Sequence, residues 1–213
     1  MTAVVSSYTF TCDGSPAADE HHNLLSDICD PQTRSLLRGL NPRGWHCLEV
    51  GAGAGSIALW LATQVGPGGS VLATDLNPMP IRHHCRLTVI RHDIVNQPLP
   101  RSGFDLIHAR LLLQHLPQRR EVVERLVAAL NPHGVLVAED WDLTWRHGRV
   151  LHAPDQDAAD LFNRYQDTLW DIFSDAGVDL GWASRAATVM IGAGLEDVSA
   201  QVHCRSWAGG SAG

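Results

Sequence analysis

The stretch His46-Cys47-Leu48-Glu49-Val50-Gly51-Ala52-Gly53-Ala54-Gly55-Ser56 decides the fold. Its first half, His46 to Val50, is an apolar run of strand length. Its second half places glycine at every other position and leads into a helical segment, Ser56 to Thr63, with Ile57, Leu61 and the small Ala58 available to one side. A glycine loop between a strand and a helix is a setting in which backbone can approach a ligand closely. Gly51 permits the sharp turn out of the strand, Gly53 has no side chain to block a ligand, and Gly55 lets helix and strand approach. Taken alone, such a cluster is also what a tight turn requires.

Outward from this loop the alternation repeats. Ser70–Thr74, Leu87–Arg91, Phe104–Ala109 and Val135–Glu139 read as further strands, with a turn at Gly66–Gly69. Pro117 opens a helix carrying Val122, Val123, Leu126, Val127 and Leu130 on one face, and Asn131-Pro132-His133-Gly134 ends it. Near-continuous apolar strands alternating with helices predict an α/β, Rossmann-like, doubly wound and mostly parallel sheet with helices on both faces. Ligands then sit beyond the C-terminal ends of the strands.

Residues 1–42 read as an N-terminal helical cap, in which Asp30-Pro31 starts a short helix that Asn41-Pro42 ends. Residues 43–142 form the core, and residues 143–195 a helical lid or substrate-side segment. In that segment a helix at Asp155–Ala176 bears the stripe Leu161, Phe162, Tyr165, Leu169, Ile172 and Phe173, suited to core packing or to covering a substrate, and a second helix lies near Trp182–Gly192. Residues 196–213 hold a sixth strand at Glu196–Cys204 and a flexible end.

Composition removes several function classes. All sixteen basic residues are arginine, so a lysine Schiff base and the lysine of a phosphate-binding P-loop are excluded. A net charge of -7 argues against a nucleic-acid partner. The chain has no apolar run of spanning length and no secretory leader pattern, which points to no membrane association and a cytoplasmic location. Cys12, Cys29, Cys47, Cys85 and Cys204 form no CxxC spacing, and the pairs His21-His22 and His83-His84 lack a convincing third ligand, so no metal site is expected.

The ligand's chemistry follows from three acids. Asp75 ends the second strand, where an ionised carboxylate can accept from both hydroxyls of a ribose. Glu49 precedes the loop and suits a positively charged ligand end, while Ser56 stands where a dinucleotide fingerprint wants glycine. A nucleoside bearing an ammonium therefore fits better than a pyrophosphate, and an NAD-dependent oxidoreductase becomes the lesser alternative. Asp93, in Arg91-His92-Asp93-Ile94, could accept from an adenine amino group while Ile94 or Leu76 packs the ring; it could equally be a solvated loop acid.

Glu49 to Ser56, Asp75, His92-Asp93 and Phe104-Asp105-Leu106-Ile107-His108-Ala109-Arg110 together resemble class I S-adenosylmethionine-dependent methyltransferases, in particular the bacterial group of small-molecule, quinone and natural-product enzymes. The resemblance covers residues 43–142. It implies S-adenosyl-L-methionine as cofactor. Glu49, Gly51, Ala52, Gly53 and Gly55 would run along its methionine part, Asp75 would hold the ribose, and Asp93 and Ile94, with Leu76, would face adenine. Ala109 and Arg110 would line the methionine end. The family helix between Asp75 and the third strand should be short or absent here, because Pro78 and Pro80 interrupt it. The family sheet has seven strands, and the tail after Cys204 is too short to supply the last, so a sheet lacking the seventh strand is expected. Completion by a second copy, a homodimer, is one alternative.

The implied reaction transfers a methyl group to an O, N or C atom of an apolar small molecule by in-line displacement; the aromatic residues beyond the core, Trp141, Trp145, Phe162, Tyr165, Trp170 and Trp182, suit such an acceptor. A non-catalytic cofactor-binding or interaction protein is the alternative. His115, His108 and Asp140 are the candidate bases, His115 being preferred although it could be a capping or core histidine. Arg110 could anchor an acceptor anion or pair with a carboxylate such as Asp140.

Overall fold

The structure, a computed structural model, describes residues 16–100, 102–145 and 150–206. Cys12 and the end of the chain from residue 207 lie outside the described residues. Among the described residues five strands form one sheet: β1 His46–Val50, β2 Ser70–Asp75, β3 Leu87–Arg91, β4 Phe104–Arg110 and β5 Leu130–Glu139. They are parallel and ordered β3-β2-β1-β4-β5. The order reverses between β1 and β4, so the crevice at their C-terminal ends is the topological switch point.

Side chains alternate across each strand, and the two faces have separate cores. Leu48, Val50, Leu72, Ile107 and Ala109 pack with Val122, Val123 and Leu126 of α3 (Arg119–Ala128) and with Trp182, Val189 and Met190 of α5 (Trp182–Gly192). On the opposite face Cys47, Val71, Ala73 and Leu106 pack with Ile57, Ala58 and Leu61 of α2 (Ser56–Gln64) and with Leu37 of α1 (Pro16–Gly39). Helices thus cover both faces, as the strand composition requires. The helix α4 (Gln156–Asp175) is started by the Asp155 side chain accepting from Ala158 N, and it builds a small satellite cluster from Trp170 and Phe173 with Val178. Of its apolar stripe, Leu161, Phe162, Tyr165 and Ile172 are exposed. The segment 143–195 is therefore not one layer: α5 belongs to the core under the sheet, and α4 does not.

Three expectations are corrected. Pro31 does not start a helix but sits inside α1, which runs unbroken through it. The proline forfeits one backbone hydrogen bond, a cost of about 3 kcal/mol in a helix interior, and buried Asp30, Thr33 and Leu37 on either side of it supply the tertiary anchoring that offsets this. β5 begins at Leu130 instead of Val135: Phe104 pairs with Leu130 and Leu106 with Val135, so Asn131–Gly134 form an irregularity within the strand. Asn131 Nδ2 holds it, donating to Asp105 Oδ1 at 2.7 Å.

Third, Glu196–Cys204 is not a strand. Its period-2 pattern of Val198, Ala200, Val202 and Cys204 has no neighbouring strand to pair with among the described residues, and Val202 is 91% exposed. The segment instead reaches α1, where Gln32 Nε2 meets His203 Nε2 at 3.0 Å and Arg205 donates to Ile28 O. Between β2 and β3 no helix forms, as Pro78 and Pro80 predict.

Candidate functional site

The loop after β1 owes its shape to three left-handed glycines, Gly51, Gly53 and Gly55, with φ of 70°, 51° and 77°. Non-glycine residues rarely adopt such angles. Gly51 N and Ala52 N both donate to Thr74 O, which ties the loop to the end of β2. At that end Asp75 accepts from Gly53 N and from Asn77 N, each at 2.8 Å. An ionised carboxylate offers about four acceptor positions, so both backbone contacts leave room for ligand hydroxyls. Gly55 does not serve helix–strand packing: a Cβ there would fall within 2.2 Å of Ile81 Cδ1, so the close neighbour is the β2–β3 connection.

Beside Asp75, a cavity of about 360 Å³ is lined by Leu76, Arg91, Asp93 and Gln97. Leu76 and Asp93 thus meet where a ring could lie. Asp93 also organises its own turn, accepting from Val95 N, Asn96 N and Asn96 Nδ2. Burial acts to raise its pKa, but these hydrogen bonds hold the carboxyl below the usual range. Ile94 is not at this cavity; it is buried in the α3/α5 core. Ala109 lies in that core too. A larger cleft of about 510 Å³, between Val150–Asp155 and the first turns of α4, contains none of the candidate residues.

On the α1/α2 face, at the switch point, an otherwise apolar sheet surface carries a chain of charges. Glu49 and His108 are Cα partners across β1 and β4, and Arg110 and Glu139 across β4 and β5. His108 is fully buried, with Nδ1 2.7 Å from Glu49 Oε2 and Nε2 2.9 Å from Glu139 Oε1. Burial alone would strip its proton, but the two carboxylates reverse this and push its pKa up to about 9. Glu139, which burial would raise, is held below its usual range by the His108 hydrogen bond and charge. At neutral pH both ring nitrogens of His108 donate, so it has no lone pair with which to act as a base.

Arg110 donates to Thr33 Oγ1 at 3.0 Å and to Asp30 Oδ1 at 2.9 Å, not to Asp140. Asp30 also accepts from Ser56 and Arg34. One buried acid on α1 therefore binds the end of β4 and the start of α2. Asp30 and Thr33 were not foreseen as site residues; their signal was polar side chains at i and i+3 on the same helix face as Leu37.

The other two candidate bases lie on the opposite side of the β4–β5 ends. His115 ends a short helical turn, Leu113–His115, and Gln114 Nε2 donates to its Nε2 at 3.1 Å. Burial, then the charge of Arg119, push its pKa down to about 4. It is neutral at physiological pH but a weak proton acceptor. Asp140, directly after β5, accepts from Trp182 Nε1 at 3.0 Å. Its Oδ1 is enclosed and has no hydrogen-bond partner of normal geometry among the described residues. Burial dominates and pushes this carboxyl up to about 7; Trp182 and the nearby backbone of Gln114 and Leu112 pull the other way.

These shifts fix a pH dependence of stability. His108 binds a proton more tightly folded than unfolded, so its contribution is complete below 6.5 and is lost as pH rises toward about 9. Asp140 makes stability fall with pH between 3.8 and about 7, and His115 makes it rise between about 4 and 6.5, so the two oppose each other in acid. Thermal stability should therefore decline most clearly between about pH 6.5 and 9, by an amount equivalent to about 3 kcal/mol. A melting temperature that rises across that window, or a decline that persists unchanged in His108→Gln, would count against this account.

Comparison with known proteins agrees with the geometry. Residues 48–136 match a family model described as a methyltransferase domain. Methyltransferase str2 of Strobilurus tenacellus is 38% identical over 97 residues, covering 45% of this chain and 35% of that protein. Methyltransferase str3 of the same organism is 34% identical over 128 residues, covering 58% of this chain and 44% of that protein. The chain thus spans less than half the length of these relatives. Haemonchus contortus phosphoethanolamine N-methyltransferase 2, solved in complex with S-adenosyl-L-methionine, superposes with a TM-score of 0.57 at 18% identity, covering 78% of this chain and 37% of that one; it shares the fold. Among the described residues no cluster of side chains is suited to a metal ion, and no helix is long and apolar enough to cross a membrane. Parallel strands in the order β3-β2-β1-β4-β5 and a glycine loop after β1 coincide with the match over residues 48–136, so this part of the chain is similar to a methyltransferase domain and has the doubly wound sheet of a class I S-adenosylmethionine-dependent methyltransferase fold.

Proposed function

We propose that the chain binds S-adenosyl-L-methionine across the β1–β4 switch point and transfers its methyl group to an apolar small molecule bearing a hydroxyl. The observation that carries the cofactor site is Asp75, whose carboxylate anchors Gly53 N of the glycine turn and which directly precedes Leu76, a lining residue of the cavity that Asp93 shares. These residues fit the cofactor: Asp75 for the ribose, Leu76 and Asp93 for adenine, and Glu49 with the Gly51–Gly55 turn for the amino-acid end. When bound, the cofactor supplies an electrophilic methyl group carrying its own leaving group, so the protein's task is alignment and exclusion of water. Helix α1 suits the second task, since the His22 ring lies 3.4 Å from where a Gly53 Cβ would be.

On the acceptor side Asp140 is the base best supported. It stands after the last strand, its pKa lies near neutrality, and its enclosed Oδ1 has no hydrogen-bond partner of normal geometry among the described residues, which leaves it free for a proton from an acceptor that enters there. His115 gives up its proton too readily to compete, and His108 is already protonated. Arg110, neutralised by Asp30, serves α1 docking. The exposed apolar residues Trp141, Trp145 and Phe162 favour an apolar acceptor over a charged one.

Calorimetry should register S-adenosyl-L-methionine and its demethylated product, and each should raise the melting temperature. A mass-spectrometric screen over phenols, quinones, amines and lipids should then show a gain of one CH2 unit on a hydroxyl compound. Absence of both heat and thermal shift with either ligand would end the cofactor reading; methylation confined to nucleic acid would end the small-molecule reading.

A further inference from the structure

The Glu49–His108–Glu139 bridge is more than the sheet needs for cohesion. Apart from Arg110, its strand neighbours on that face are the apolar Cys47, Val71, Ala73, Leu106, Val135 and Val137. A buried ionic triad is commonly no more stabilising than apolar side chains of the same volume. Its location is specific, however. Glu49 is the penultimate residue of β1, two before Gly51, so the bridge lies at the end of the strand from which the glycine turn departs. Its charges also sum to a definite value. Two carboxylates and one imidazolium leave the bridge itself one net negative charge, and the nearby Arg110 guanidinium makes its ion pair with Asp30.

We infer that His108 is a positioning residue of the cofactor site, fixing the Glu49 carboxylate and setting the bridge at one net negative charge, so that the site selects ligands with an ammonium at the end nearest the glycine turn. The inference rests on the proposed cofactor reading and adds a residue that touches no ligand. Imidazole suits the task because its two N–H groups point to opposite sides of a rigid ring, reaching a carboxylate on each neighbouring strand at 2.7 and 2.9 Å. A neutral residue there would leave the buried Glu49 and half-buried Glu139 carboxylates without the cation between them, which favours uptake of a proton by one of them. Glu49 would then share its negative charge with Glu139 and lose its fixed orientation.

The test compares two ligands that differ only at the end in question. S-adenosylhomocysteine carries the amino-acid group, whereas 5′-methylthioadenosine keeps the nucleoside thioether without it. In calorimetric titrations at neutral pH, His108→Gln should weaken S-adenosylhomocysteine about tenfold or more. It should leave 5′-methylthioadenosine within about twofold of the wild type, as loss of one charged contact predicts for a ligand lacking that contact. Should His108→Gln fail to fold, Glu139→Gln retains the histidine and an acceptor for it while removing the net charge. It should weaken S-adenosylhomocysteine about threefold to tenfold with the same selectivity. Equal losses for both ligands, or none for either in folded variants, would overturn the inference. Wild-type protein that binds neither ligand would instead defeat the cofactor reading, and that result is seen before any variant is made.

Discussion

Replacing Asp140 by Asn should lower kcat for a hydroxyl acceptor between about 100- and 10,000-fold, the range set by losing a positioned general base. The carboxyl sits against Trp182 Nε1 with its other oxygen enclosed, and burial pushes its pKa up to about 7. Wild-type turnover should accordingly rise with pH through a midpoint near 7, as the carboxylate forms, and the variant should lose that limb. Stability supplies the control. An amide oxygen can still accept from Trp182, and the substitution removes a buried charge, so the melting temperature above pH 7 should hold or increase. Cofactor affinity should be unaffected. A variant with full turnover, or one whose loss of activity tracks loss of folded protein, would remove Asp140 from the mechanism.

The second large effect is expected at Asp75. Asp75→Ala deletes the acceptor for Gly53 N and Asn77 N together with the proposed ribose contact. Hydrogen bonds to a charged group contribute about 1.5–3 kcal/mol each, so two of them amount to about a hundredfold or more in the dissociation constant of S-adenosylhomocysteine. Asp75→Asn keeps one oxygen and should recover part of the affinity if the loop contact matters, but not the part owed to a second hydroxyl. Calorimetry on both variants separates the two. Wild-type affinity in Asp75→Ala would mean that the nucleoside lies elsewhere.

Where the sequence carried a local signal, it was sufficient. The strand–glycine–helix passage at His46–Ser56, the acid at the end of β2 and the absence of a helix after Asp75 are all dictated by residues adjacent in the chain. The misplacements came from contacts between distant residues. Pro31 is a valid stop signal by itself, and only the anchoring of Asp30 by Arg110 and Ser56, far along the chain, explains why α1 passes through it. Glu196–Cys204 has strand periodicity, but a strand exists only with a partner, which no single segment can reveal. Ile94 and Leu76 are equally apolar; which of them reaches the cavity depends on the direction of the turn that Asp93 caps. His108 is the clearest case. On composition it is one histidine among twelve, and its two carboxylates become neighbours only when three strands align.

That alignment has a bearing on how the chain avoids folding incorrectly. Parallel strands as uniformly apolar as β1, β4 and β5 discriminate weakly between neighbouring offsets, since one valine or leucine buries as well as the next. Charged residues do not share this indifference. At the N-terminal end of the sheet Asp105 accepts from His46 N and from Asn131 Nδ2, linking β1, β4 and β5. At the other end His108 joins the same three strands through Glu49 and Glu139. A slip of one residue between β1 and β4 would turn Glu49 toward the predominantly apolar α3/α5 side and leave His108 with Glu139 alone, at a cost of several kcal/mol for the unpaired buried ion. The pins at the two ends thus act as an error check during folding: an assembly offset by one residue is too unstable to persist, and it reopens until the charges meet.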